Sequence, residues 1–312
     1  MPSFSEVIAS RCHAFSINDV LPPEILHCIF EYLEFDDYHD EVLSACMRVC
    51  KLWHSLARPH FFAWVSVRRD QERFSDFCHA RLEMAGWIKS IDFYGASWAC
   101  ASTRQFSQSC EAFDVESLVS ILPLLPSLRA IRLLGHDNRT AARDGLWSPS
   151  KLVRLQQLCL DECEGVGMIL PILWSLFTVD TLLLDAVEVD VYRESTILYH
   201  PSTRPQSIVL PNLALIRVYH VQPILEFLDY VLVPHCLRTF AAECWANENL
   251  PAVTRFLRSD ASSNLLSISI DLELPGTFRN RHKDPVEGAL CLPAAVKDPL
   301  LRWCPYRRRR NG

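Results

Sequence analysis

Nothing in this chain of 312 residues is both apolar and long enough to span a bilayer. The longest nearly uncharged run, Val166 to Val179, contains Pro171 and stops at Asp180, short of the roughly 20 apolar residues a membrane helix needs. The opening residues MPSFSEVIASRCHAF hold no apolar core of signal-peptide length, and no CxxC pair occurs among the thirteen cysteines. Because Cys46, Cys50, Cys159 and Cys236 sit inside apolar patterns, the cysteines are expected to be reduced core residues of a cytoplasmic or nuclear protein. His27-Cys28 and His235-Cys236 have no partner pairs at ligand spacing, so no metal is expected. Catalytic signatures are missing too: there is no GxSxG, HExxH, GxxxxGK[ST] or calcium-loop pattern. Gly165-Val166-Gly167, the only GxG, lacks the third glycine of a dinucleotide turn. Glu24, Glu31 and Glu34 lie opposite an apolar helical face, and Asp36-Asp37 have no further carboxylates at fixed register. Neither enzymatic activity nor a cofactor is expected.

What is present is a globular composition, with 49% apolar and 22% charged residues. A net charge of −6 argues against general nucleic-acid binding. That charge is unevenly spread: residues 1–41 hold nine acidic side chains and one arginine, whereas residues 279–312 hold nine basic and three acidic.

The stretch from Asp19 to Val67 organises the rest. It opens Leu21-Pro22-Pro23-Glu24, and prolines are tolerated there because the first turn of a helix has no intrahelical use for their missing N–H groups. Leu21, Ile25, Leu26, Ile29, Phe30 and Leu33 then keep to one helical face. The acidic stretch Glu34 to Glu41 interrupts them. A second series, Val42, Leu43, Cys46, Val49, Cys50, Trp53, Leu56 and Ala57, runs on until Pro59 is expected to stop it. So few residues cannot bury so much apolar surface among themselves, and the remainder must meet either the rest of this chain or another protein.

These residues resemble an F-box over roughly residues 19–60, through Leu21-Pro22, Glu24-Ile25-Leu26, Ile29-Phe30, Leu33, Val49-Cys50 and Trp53, followed by Phe62-x-x-Val65-x-Val67. The loop EFDDYHDE is longer and more acidic than is usual in that family. The resemblance implies docking on a Skp-type adaptor and, through it, a cullin scaffold. The positions that match the family's motif are Leu21, Pro22, Ile25, Leu26, Ile29, Leu33, Leu43, Val49, Cys50 and Trp53. Some would meet the adaptor and others, with Phe30, would hold the helices together; spacing does not sort them.

From residue 60 onward the phrase apolar-x-x-apolar-x-apolar recurs. It is found at Phe62-Val65-Val67, Ile88-Ile91-Phe93, Leu128-Ile131-Leu133, Leu155-Leu158-Leu160, Val179-Leu182-Leu184, Leu213-Ile216-Val218, Leu237-Phe240-Ala242 and Leu265-Ile268-Ile270. Its starting positions lie 26, 40, 27, 24, 34, 24 and 28 residues apart. Each phrase ends in the alternation of a short strand, and helices are expected between them at Val115–Leu125, Val166–Phe177, Pro223–Val233 and Leu250–Arg258. Stacked strand–helix units of this length look like an irregular leucine-rich-repeat array, best carried by LLPSLRAIRLLG and LPNLALIRVYHV. No asparagine ladder is evident; Asp161, Asp185 and His220 follow the strands instead. Short apolar phrases also recur in doubly wound α/β domains.

The expected fold class is therefore α/β: a short helical F-box followed by a leucine-rich-repeat-like solenoid of parallel strands and helices. The expected boundaries are a flexible segment 1–18, an F-box-like module 19–60, a repeat domain 61–275 and an irregular basic tail 276–312. Its function would be that of a substrate-recognition adaptor of an SCF-type ubiquitin ligase, with an unidentified protein target and neither nucleic acid nor membrane as partner. The alternative is a repeat scaffold in which the F-box-like helices only cap the solenoid. Trp98, Trp147 and Trp245, in expected loops, and Arg129, Arg132, Arg154 and Arg217, beside the strands, are further recognition candidates, the arginines for an acidic partner.

Overall fold

A computed structural model describes residues 21–33, 39–68, 71–95, 113–138, 152–187, 208–218 and 221–273. The segment 1–18, most of the EFDDYHDE loop, Trp98, Trp147 and the basic tail lie outside these residues. The described chain divides into two compact units, the first reaching Trp64 and the second starting at Val65.

The first unit holds three helices: α1 (Pro23–Leu33), α2 (His39–Cys46) and α3 (Lys51–Phe61). Part of the acidic stretch proves helical, since Asp40 and Glu41 form the first turn of α2. Carboxylates suit that position, where unpaired N–H groups carry partial positive charge. Pro59 does not stop α3, which runs on to Phe61, with the Phe62 N–H donating to the Arg58 carbonyl at 3.2 Å. A proline so near the C-terminal end removes only one bond from the ladder. Leu26, Phe30, Leu43 and Ala57 form the core, with Leu21, Leu33, Cys46, Met47, Trp53, Leu56 and Phe61 packed around them.

The second unit is an eight-stranded sheet with helices between its strands. The strands are β1 (Trp64–Arg68), β2 (Ser90–Tyr94), β3 (Ala130–Leu134), β4 (Val153–Asp161), β5 (Phe177–Asp185), β6 (Asn212–Ile216), β7 (Thr239–Trp245) and β8 (Ser267–Glu273). They lie side by side in chain order, and β2 through β8 pair in parallel. That order never reverses, so the sheet has no switch point and is not doubly wound. The expected helices are present as α6 (Val115–Ile121, continued by a 3₁₀ turn to Leu124), α7 (Val166–Leu176), α8 (Val221–Val231) and α9 (Ala246–Leu257), after the shorter α4 (Gln71–Ala80) and α5 (Leu82–Ala85). Helix α9 begins four residues before the expected Leu250 and contains Pro251, and Trp245 ends β7 instead of lying in a loop.

Register makes the repeat visible. Ile91, Ile131, Leu158, Leu182, Leu213, Phe240 and Ile268 form one cross-strand row, and Phe93, Leu133, Leu160, Leu184, Leu215, Ala242 and Ile270 form the next. Up to β7 both rows are buried in one core with the helices. The phrase assigned to Leu213-Ile216-Val218 is thus three residues out of phase, because the aligned one is Leu210-Leu213-Leu215. With that shift the spacings of 34 and 24 become 31 and 27. At β8 the rows lose their cover: Leu266 is 81% exposed, and Ile268 and Ile270 are exposed as well.

Two finer features recur. Gly135, Glu162, Ala186 and Arg217 each directly follow the strand row Leu134, Asp161, Asp185 and Ile216, and all four have φ between 49° and 61°. The N–H groups of Gly135, Glu162 and Ala186 donate to the carbonyls of Asp161, Asp185 and Ile216 at 2.8–2.9 Å. Two positions past Leu134 and Asp161 come His136 and Cys163, both buried. His136 Nε2 donates to the Phe93 carbonyl at 3.2 Å, and the Cys163 thiol donates to the Leu133 carbonyl at 3.4 Å. The two acceptors are register partners, so these side chains are successive rungs of a short polar ladder. Burial pushes the Cys163 thiol up to about 12, which keeps it a donor.

Candidate functional site

Helix α1 is apolar on more than one side. Leu26 and Phe30 are fully buried, and the Phe30 ring meets Trp53 edge-on with centroids 5.6 Å apart. Ile25, Ile29 and Tyr32, spaced four and three residues apart and hence in line along the helix, stay exposed at 47%, 42% and 71%. Pro22, one turn before Ile25, is exposed too, and its carbonyl starts the helix by accepting from the Ile25 and Leu26 N–H groups at 3.0 and 3.2 Å. Val49, in the turn before α3, and Leu52, in the first turn of α3, are also exposed.

The ten positions that match the motif of the family the segment resembles therefore separate by burial. Pro22, Ile25, Ile29 and Val49 present free surface; Leu26 and Leu43 lie inside the unit's own core; Leu21, Leu33, Cys50 and Trp53 are half-buried. Cys50 has a structural role as the cap of α3, its Sγ accepting from the Trp53 N–H at 3.5 Å. Sequence reasoning did not single out Tyr32 or Leu52, although both fall at helical spacing with chosen residues. Nor did it single out the pair His27 and His60, whose Nδ1 and Nε2 lie 2.9 Å apart and tie α1 to α3.

On the sheet, three of the four arginines considered for an acidic partner are engaged within the chain. Arg132 pairs with Asp161, Arg154 with Asp180 at 3.0 Å and Arg217 with Asp185 at 2.6 Å. Arg129 is exposed. Among the described residues no His, Cys, Asp and Glu cluster has the makings of a metal site, and no helix is long and apolar enough to cross a membrane.

An F-box-like family model matches residues 19–69. No curated protein matches the chain. The N-terminal part is thus an F-box-like domain; the matched span takes in the three helices that carry the exposed stripe and runs on through β1.

Proposed function

We propose that this protein is a substrate-recognition adaptor of an SCF-type ubiquitin ligase. The observation that carries the reading is the line of exposed apolar side chains, Pro22, Ile25, Ile29 and Tyr32, on the segment that matches the F-box-like model. A Skp-type adaptor would cover that line, with apolar burial at roughly 25 cal/mol per Å² as the drive, and would bridge to a cullin scaffold. The sheet unit would hold the target protein. The adaptor would do no chemistry itself; it would raise the target's effective concentration beside the transferring enzyme, in the cytoplasm or the nucleus.

We read the sheet unit as leucine-rich-repeat-like. Support comes from strands stacked in chain order, from the in-register L-x-x-L-x-L rows, and from His136 and Cys163, which stand where regular repeats carry asparagine or cysteine.

The test is binding of purified full-length protein to a Skp-type adaptor, by calorimetry. Ile25→Asp with Ile29→Asp should weaken binding by about 30-fold or more while circular dichroism stays unchanged, because both side chains are exposed. Absence of wild-type association at micromolar concentrations overturns the reading.

A further inference from the structure

The C-terminal ends of β4, β5 and β6 bring together an unusual set of charges. Asp161 and Asp185 are register partners on adjacent parallel strands, so two carboxylates sit about 5 Å apart at the backbone. Each has one arginine, Arg132 from β3 for Asp161 and Arg217 from just after β6 for Asp185. The two pairs are not equivalent. The Asp185 side chain is only 4% exposed, whereas its partner Arg217 is 50% exposed and spends much of its charge on water. Arg132 is shared between Asp161 and the influence of Asp92. Asp185 is therefore a buried carboxylate with a like charge on one side and a half-solvated cation on the other. Around these groups, among the described residues, Glu162 acts on Arg217, and the buried Cys159 thiol on β4 lies beside Arg132.

We propose that Asp185 and Arg217 form a proton-operated latch: the ionised carboxylate holds the guanidinium against the sheet, and the protonated one lets it go into solvent. The geometry gives the direction. Burial pushes the Asp185 carboxyl up to about 6; Arg217 pulls it back, Asp161 adds to the rise, and Arg132, paired with Asp161, draws it down a little further. Because the folded value lies above the unfolded one, proton uptake by Asp185 stabilises the fold fully below the unfolded value of 3.8, and this contribution is lost as pH rises through 6. The latch closes in the same interval. Arg217 also holds a backbone φ of 52°, so the side chain that is released belongs to the strained turn leaving β6.

The experiment is a carboxyl ¹³C titration of the full-length protein with labelled aspartate, the Asp185 signal being assigned through Asp185→Asn. The expected midpoint is near pH 6. Arg217→Gln, at a half-exposed site that should fold normally, must move the midpoint upward, and Asp161→Asn must move it downward. In parallel, the urea midpoint of the wild type should fall between pH 5 and 7, and Asp185→Asn should flatten that slope. A wild-type Asp185 midpoint at the ordinary carboxylate value overturns the proposal. So does an Arg217→Gln midpoint that does not move, which would leave the guanidinium a bystander.

Discussion

Ile25 and Leu26 are neighbours of nearly equal hydrophobicity, yet one is 47% exposed and the other 1%. A helix turns about 100° per residue, so adjacent members of a wide apolar stripe part company once one side of the stripe has found a core. That difference sets opposite expectations. Leu26→Ala should cost about 2–5 kcal/mol, read as lost hydrogen-exchange protection over Pro23–Leu33, while adaptor binding falls only as far as the unit unfolds. Ile25→Ala should leave that protection unchanged within about 0.5 kcal/mol and weaken adaptor binding directly. The turn after β5 supplies a second residue-scale test. Ala186 holds φ 49°, a conformation that costs a residue with a Cβ about 1–2 kcal/mol, part of which glycine returns through its freer unfolded chain. Ala186→Gly should thus raise the stability of the sheet unit by about 0.5–1 kcal/mol in urea unfolding. Gly95 permits no such exchange in reverse, since a Cβ there would stand 2.1 Å from the Gly135 carbonyl oxygen.

Strands were readable wherever one alternation of apolar residues stood alone. In β2 to β5, in β7 and in β8 the apolar phrase of the sequence is the phrase that pairs. In β6 the run LPNLALIRV carries two overlapping phrases, at Leu210-Leu213-Leu215 and at Leu213-Ile216-Val218, and only pairing with Leu182 and Leu184 decides between them. Ile216, taken for an inward residue, faces the opposite side and packs with Cys159 and Leu183. The polar ladder was missed for a related reason. Its signal lies three residues past the last apolar position of the phrase, at His136 and Cys163, whereas the residues directly after the strands drew attention. The stripe on α1 was legible as an apolar series, but its division into inward and outward members was not, because that depends on where α2 and α3 pack. Helix ends were least legible: Pro59, expected to stop α3, lies inside it, and α9 starts at Ala246, four residues ahead of the expected Leu250.

Each unit keeps a core of its own, a small one around Leu26, Phe30, Leu43 and Ala57, and a continuous one running from Val67 to Ala261. Removal of residues 1–64 should therefore leave the remainder with its circular-dichroism spectrum and a cooperative unfolding transition, while adaptor binding disappears. Collapse of the sheet on that deletion would assign the F-box-like helices the role of a cap. Inside the sheet unit, strand neighbours in space are strand neighbours in sequence, from β1 to β8. Such a stack has the mechanics of a zip fastener. A pull on the far end loads one row of hydrogen bonds at a time, and the first tooth to open is β8, whose isoleucines already stand in water.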